Sequence, residues 1–306
     1  MLHYILRRLL YFIPTLLAIY TVAFLLMHAA PGSPFVQEKG LPPEVLASRM
    51  AEFHLDKPLW QQYLLYGWDI ISLRGHSSIK YPNRNVIHDI LAPAFPVSLT
   101  LGICALAIAL VVGTAAGVAS AARPRSLTDY GAMIGAMIGI SQPSFVIASV
   151  LLAIFALCLR WLPVGGWGSP SQIVLPAIAL AALPAAYIAR LVRTGMLEVL
   201  SADFIRTARA KGLPERSVLL DHALRNAWLP VLGYLGPAAA SIFTGSFVVE
   251  KIFAIPGVGT HFVDSALHRD HPLILATVLL YALLLVVFNL AVDLGYAWLD
   301  PRIRYE

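Results

Sequence analysis

The chain has 306 residues, of which 58% are apolar and only 13% charged, with a mean hydropathy of +0.74 and a formal net charge of +5. A soluble domain carries charge on about one residue in four, so this chain cannot wet the surface of a water-soluble fold, and lipid must cover much of it. The basic residues lie between apolar runs and form no aromatic-rich basic stretch, which argues for membrane topology and against a nucleic-acid partner.

In chain order, Arg7 and Arg8 precede an apolar run from Leu9 to Leu26. That run is longer than the roughly 7–15 residues of a signal-peptide core, and Pro31 would follow a cut at Ala30, so it reads as a retained first helix. Six segments are long and apolar enough to cross about 30 Å of hydrocarbon as helices: residues 9–30, 95–121, 130–159, 173–191, 230–249 and 273–298. The predicted fold is therefore an all-α integral membrane protein with about six transmembrane helices. Three regions follow: a tail and first helix over 1–30, a polar loop region over 31–94 with a partly helical stretch near 42–70, and a five-helix core over 95–306 that contains a charged loop at 192–228.

Prolines mark the weak points. Ser141-Gln142-Pro143-Ser144 lies within the third span, where a missing backbone N–H predicts a kink or a break. Pro176, Pro184, Pro230 and Pro237 are expected to interrupt the fourth and fifth spans. Lys and Arg gather in one set of connections, including Arg123, Arg125, Arg190, Arg193, Arg206, Arg209 and Lys211, whereas the short loops 160–172 and 250–272 hold only Arg160, Lys251 and Arg269. By the positive-inside rule both termini are cytoplasmic.

Within 192–228 the run Asp203-Phe204-Ile205-Arg206-Thr207-Ala208-Arg209-Ala210-Lys211-Gly212-Leu213-Pro214 predicts a short surface helix. Asp203 and Lys211 complement its dipole, Gly212 allows a left-handed end, and Pro214 cannot continue it. Phe204 and Ile205 are then available to insert into a groove; the alternative reading is an ordinary positive-inside loop. Asn289 and Asp293, four apart on one face of the last span, either line a cavity or bond between helices. Residues Ser141, Gln142, Pro143, Ser144 and Phe145 are the candidate translocation wall, since exposed backbone carbonyls at membrane depth need protein or water beside them; a packing kink is the other reading.

Gly131, Gly135 and Gly139, like Gly113 and Gly117, have the i, i+4 spacing of close helix packing. Cys104 and Cys158 lie in apolar runs without metal-ligand spacing, and the His268, Asp270, His271 cluster lacks a second ligand set, so no metal site is expected. There is no phosphate-cradling Gly-x-x-x-x-Gly-Lys-Ser/Thr, no His-Glu-x-x-His and no Gly-x-Ser-x-Gly. The chain thus nominates no catalytic residue, and no cofactor of its own.

Arg206-Thr207-Ala208 followed by Gly212, with Leu229-Pro230 downstream, resembles the EAA loop of permease subunits of binding-protein-dependent ABC importers. Arg206 stands where the founding pattern has glutamate. The string Arg206 to Leu213 is similar to the dipeptide, oligopeptide and nickel branch of that family. So are Arg7-Arg8 through Ile13-Pro14-Thr15-Leu16 to Ala30-Pro31-Gly32-Ser33-Pro34, Glu250-Lys251-Ile252-Phe253 through Pro256-Gly257-Val258-Gly259, and Asp300-Pro301-Arg302-Ile303-Arg304. Gly32-Ser33-Pro34-Phe35 and Leu41-Pro42-Pro43-Glu44-Val45 look most like the B-type subunits of oligopeptide permeases.

The resemblance implies the type I importer permease architecture, a noncatalytic role and an inner-membrane location. It implies a second homologous permease, two ATP-binding subunits that hold ATP and Mg, and an extracytoplasmic peptide-binding protein docking on loops 31–94 and 250–272. Asp203–Gly212 then corresponds to the coupling helix. Dipeptide, glutathione or nickel are alternative cargoes. A stand-alone secondary transporter would need an ion site near the midplane and an inverted repeat, and neither is evident.

Overall fold

A computed structural model describes residues 2–30, 35 and 42–299, with side chains over 10–30, 35, 42–243 and 246–292. Its described elements are helical, apart from one isolated antiparallel bridge between Ser77 and Asn85. The strings Pro31–Pro34 and Pro301–Arg304, and the Asp293 side chain, lie outside the described residues.

Helix α1 is Leu2–Ala29, and the expected polar stretch folds as α2 (Pro43–Glu52) and α3 (Leu59–Ile71). Pro42 and Pro58 stand at their N-caps, where the fixed φ is preset and a missing N–H costs nothing. The second span starts earlier than its hydropathy suggests. Asn85 caps a wide π turn over Val86–Leu91, its Oδ1 accepting from Ile87 N (2.9 Å) and His88 N (3.0 Å), and this turn leads into α4 (Ala92–Ala122).

The third span is broken outright. Helix α5 (Leu127–Ser141) and α6 (Ser144–Leu151, prolonged by a π turn to Cys158) meet at 111°. Gln142 is extended (φ −103°, ψ 132°), the conformation that a following proline favours, and Pro143 starts α6.

The remaining helices are α7 (Pro170–Leu200), α8 (Asp203–Ala210), α9 (Glu215–Ser217), α10 (Leu224–Ala227), α11 (Leu229–Ile252), α12 (Val258–His268) and α13 (His271–Leu299), with a π turn over Val218–Ala223. The expected interruptions at Pro176 and Pro184 are absent: both are buried inside an unbroken α7. Helices α5, α6, α10 and α11 pack around α7, and the small residues Ala177, Ala179 and Ala181 are buried among them. Packing by neighbours offsets the lost backbone bond. The helix also continues to Leu200, so residues 192–200 of the predicted loop are helical. Pro230 occupies the first turn of α11, where it breaks no bond, and α11 runs through Pro237 before bending by 41° beyond Phe243.

Among the described residues, four helical stretches are long and apolar enough to cross a membrane, or up to six when each bent pair counts as one span. The chain divides into two compact units, Met1–Ser98 with Pro256–Val286 and Leu99–Ile255 with Val287–Arg304. In the first, Tyr20, Phe24, Tyr66 and Leu275 form one core cluster and Phe35, Phe53 and Ile79 another. The Tyr66 hydroxyl donates to the Phe53 carbonyl.

In the second unit, α4 lies directly on α7. A Cβ on Gly113 or Gly117 would stand 2.7 Å from the carbonyl oxygen of Ala185 or Ala189, respectively. The Gly131, Gly135, Gly139 stripe is split. Gly139 packs against α7, with Ala182 O 3.0 Å from the Cβ position, whereas Gly131 and Gly135 meet nothing within 4 Å among the described residues.

Candidate functional site

The segment from Asp203 to Gly212 forms a defined helix with a defined end. Gly212 is left-handed (φ +75°), and Gly212 N donates to Arg209 O (2.9 Å) and Leu213 N to Ala208 O (3.4 Å). These bonds satisfy carbonyls that a helix C-terminus otherwise leaves open. Ile205 and Ala208, three apart, are buried, and α8 packs on the Val218–Ala223 turn, where Val218 and Ala223 are fully buried. This corrects the expectation that Phe204 and Ile205 are both available to insert into a groove. Ile205 is 0% exposed and anchors α8 to its own chain, whereas Phe204 is 46% exposed.

Asp203, Arg206, Thr207, Arg209, Ala210 and Lys211 are also exposed. Arg209 and Glu215 pair at 2.7 Å, and the Arg209 guanidinium draws the Glu215 carboxyl below its ordinary pKa range. Arg206 and Asp203 approach at 3.5 Å with side chains 76% and 96% exposed, an ion pair too solvated to hold much.

The helix is tied to the bundle rather than hung from it. Val218–Ala223 runs into α10, and the Ala227 carbonyl lies 2.9 Å from where a Cβ on Gly195 of α7 would stand. Next, Trp228 Nε1 donates to Thr114 Oγ1 of α4 (3.1 Å). Close to Gly195 on α7, Arg193 grips Asp129 of α5 through Nε–Oδ1 (2.7 Å) and Nη2–Oδ2 (2.9 Å). Ser120 of α4 donates to the same carboxylate and accepts from Arg193 Nε (3.0 Å), and Arg125 N donates to Asp129 Oδ2 (2.9 Å). One carboxylate thereby joins α4, α5 and α7.

Sequence reasoning counted Arg193 only as a topology signal and passed over Asp129. The available signal was Ser126-x-x-Asp129 at the start of α5, where Ser126 Oγ accepts from Asp129 N (3.3 Å).

The break residues Ser141, Gln142, Pro143 and Phe145 are exposed and Ser144 half-buried. Ser141 Oγ donates to Met137 O (2.8 Å), within its own helix. Asn289 lies elsewhere, its Oδ1 2.6 Å from the Cβ position of Gly236 on α11. The structure thus separates the coupling segment, the break and Asn289 rather than gathering them into one pocket.

A second polar centre lies in the first unit. Asp270, fully buried, caps α13 by accepting from Leu273 N (3.2 Å), and it also accepts from Ser78 Oγ and from Lys80 N (3.1 Å). Lys80 Nζ pairs with Asp264 at 3.1 Å; burial disfavours its charge, but hydrogen bonds to Asp264 and Tyr81 outweigh this and raise its pKa. Of the His268, Asp270, His271 cluster of the sequence, Asp270 is therefore a helix cap and a loop anchor. Among the described residues no group of His, Cys, Asp and Glu is arranged to hold a metal.

Long apolar helices with small-residue contacts, a spanning pair broken at proline and a compact basic helix fixed to the core define a helical integral membrane protein. A family model of the binding-protein-dependent transport system inner membrane component matches residues 109–305, and the N-terminal model of such membrane components matches 1–102. The chain is 47% identical to the oligopeptide transport system permease protein OppB of Haemophilus influenzae over 307 residues, covering 100% of both, with the same figures for OppB of Escherichia coli. It is 46% identical to the dipeptide transport system permease protein DppB of Bacillus subtilis, covering 99% of this chain and 98% of that one. A chain of the MetNI methionine ABC transporter in an inward-facing conformation shares the fold, with a TM-score of 0.57 at 18% identity over 69% of this chain and 96% of that one. The chain belongs to the family of inner-membrane components of binding-protein-dependent transport systems. It is a transmembrane permease subunit with the type I ABC importer architecture.

Proposed function

We propose that this chain is a noncatalytic permease subunit of an oligopeptide importer. It forms the translocation path with a second homologous permease, is driven by two ATP-binding subunits that hold ATP and Mg, and receives cargo from an extracytoplasmic peptide-binding protein. Both termini face the cytoplasm. The 31–94 and 250–272 segments receive the binding protein, and the 192–228 segment of the 95–306 core faces the motor.

The observation that carries this reading is the construction of α8: buried Ile205 and Ala208 fix it, while Phe204 and a set of cations are left at the surface. A force applied to α8 passes to Val218–Ala223 and α10, and from there to α7 through Gly195 and to α4 through Trp228. The Asp129–Arg193–Ser120 clamp keeps α4, α5 and α7 moving together. Such a rigid body suits a two-state exchange between inward-open and outward-open cavities. The exposed break at Ser141, Gln142, Pro143, Ser144 and Phe145 is then a wall of the path, and Asn289 with Asp293 a polar element of the last span. Peptides share only their backbone, so the route is wide and binds weakly, and selectivity rests with the binding protein.

The test is Phe204→Asp. Peptide uptake falls at least about tenfold, because the apolar contact that exposed Phe204 offers the motor is lost, while the amount of chain in the membrane is unchanged. ATP hydrolysis continues without uptake. Wild-type uptake by this variant would remove the coupling role.

The 46% identity to a dipeptide permease supports a second cargo reading, dipeptide. Purifying the binding protein that associates with this chain and identifying its ligand separates the two.

A further inference from the structure

Helix α7 is held at both ends. Near its C-terminus, a Cβ on Gly195 would stand 2.9 Å from the carbonyl oxygen of Ala227, in the α10 segment that follows α8. A second joint forms near its start. Gln172 Nε2 donates to Gly165 O (3.1 Å), while its Oε1 accepts from Ser169 N (3.0 Å). The loop so braced reaches the far end of α11, where Gly166 N donates to the Phe253 carbonyl at 2.7 Å. The two backbones touch: a Cβ on Gly165 would stand 2.3 Å from the same carbonyl oxygen. Phe253 is itself buried and caps α11, whose last carbonyls otherwise lack partners.

At about 1.5 Å per residue, the helix from Gln172 to Gly195 is ~35 Å long. That exceeds the roughly 30 Å of a hydrocarbon core, so the two joints lie at opposite faces of the membrane. Helix α7 is unbroken between them, whereas α11 bends by 41° beyond Phe243. A bend lets the two halves of α11 turn against each other. The position of Phe253 therefore rests on the brace from α7 rather than on the α10 side of α11.

We propose that Gln172 and Gly165 are positioning residues for transport. They lock the far end of α11 to α7, so that a displacement begun at α8 reaches the opposite membrane face. The proposal rests on the coupling role of α8. The competing explanation is local: Gln172 stands in the first turn of α7, and accepting from Ser169 N closes that end of the helix. The donation to Gly165 O has no part in such a cap. It ties α7 to the preceding loop, and through the loop to a different helix.

Gln172→Glu separates the two roles, because it keeps an acceptor for Ser169 N and removes the donor to Gly165 O. Gly165→Ala leaves Gln172 in place and pushes the loop off Phe253. In the purified complex, amide exchange of the peptide containing Gly166, read by mass spectrometry, accelerates at least about tenfold in both variants. Uptake of labelled di- and tetra-alanine by cells carrying the full complex falls about fivefold, while ATP hydrolysis by the purified complex holds at the wild-type rate. Ser171→Ala, beside Gln172 but outside the brace, changes neither. Wild-type exchange or wild-type uptake by Gln172→Glu overturns the proposal, since capping alone would then account for Gln172. If Phe204→Asp also transports like wild type, the coupling role of α8 has failed; if Phe204→Asp is impaired and Gln172→Glu is not, only the second joint has. Should Gly165→Ala not be recovered folded, Gln172→Glu decides the matter.

Discussion

The polar centre around Asp270 and the helix α8 treat charge in opposite ways. Asp270 is fully buried, and its two oxygens accept from Ser78, Lys80 and Leu273, so its bonding capacity is largely met within the chain. On α8 the charged residues Asp203, Arg206 and Arg209, with Lys211 at its C-cap, stay exposed, and the buried contacts are the apolar Ile205 and Ala208. A buried, hydrogen-bonded carboxylate fixes one geometry, because every alternative leaves donors unmet. An exposed cationic face on an apolar anchor keeps its shape without such bonds and leaves its polar groups for another surface. The first pattern locks a fold; the second suits transient docking.

The comparison breaks most readily at Asp270. Asp270→Ala strips three donors of their acceptor and removes the cap of α13, a loss of about 3–4 kcal/mol. Thermal unfolding in detergent measures it, with Asp270→Asn keeping an acceptor and recovering part of the loss. If Asp270→Ala unfolds like wild type, the lock is not there.

Asp129→Ala comes next. It frees Arg193, Ser120 and Arg125 N together, so α4, α5 and α7 separate at one end. The expected loss of thermal stability is smaller than for Asp270, because Arg193 is 28% exposed and water replaces part of what it loses. Transport falls along with stability, whereas Phe204→Asp lowers transport alone.

Gly212→Ala sharpens the contrast further. Open space surrounds the new Cβ, so only the left-handed backbone is strained, at about 1 kcal/mol. Unfolding midpoints and the ratio of uptake to ATP hydrolysis check it; the ratio moves more than the midpoint.

The smallest effect belongs to Glu215. Its carboxyl pKa is depressed in the folded chain by Arg209, so its stabilisation is present above the ordinary glutamate range and is lost as pH falls through the depressed value. With side chains 44% and 58% exposed the pair is well solvated, and Glu215→Gln changes the acid side of the stability profile only slightly. A large change would mean that the inner segment depends on its ion pairs after all.

The sequence by itself determined what local chemistry controls. Runs of about twenty apolar residues set the spans, because in lipid a single segment meets its backbone hydrogen bonds within itself only as a helix. Pro143 marked the break between α5 and α6, where Gln142 takes the extended backbone that a following proline favours, and Gly212 set the end of α8, since its backbone is left-handed. Asp270 followed by His271-Pro272 was readable as a helix cap, and the cluster was instead weighed for metal.

Only the tertiary structure decided what depends on meetings across the chain. Ser78 reaches Asp270 across 192 positions and Arg193 reaches Asp129 across 64, and no local periodicity encodes such distances. The same holds for Pro176 and Pro184, whose cost is met by helices packed around α7. It holds for Ile205 and Phe204 too: adjacent in sequence, one is buried and the other exposed, because only the packing of Val218–Ala223 tells which side of α8 is already taken.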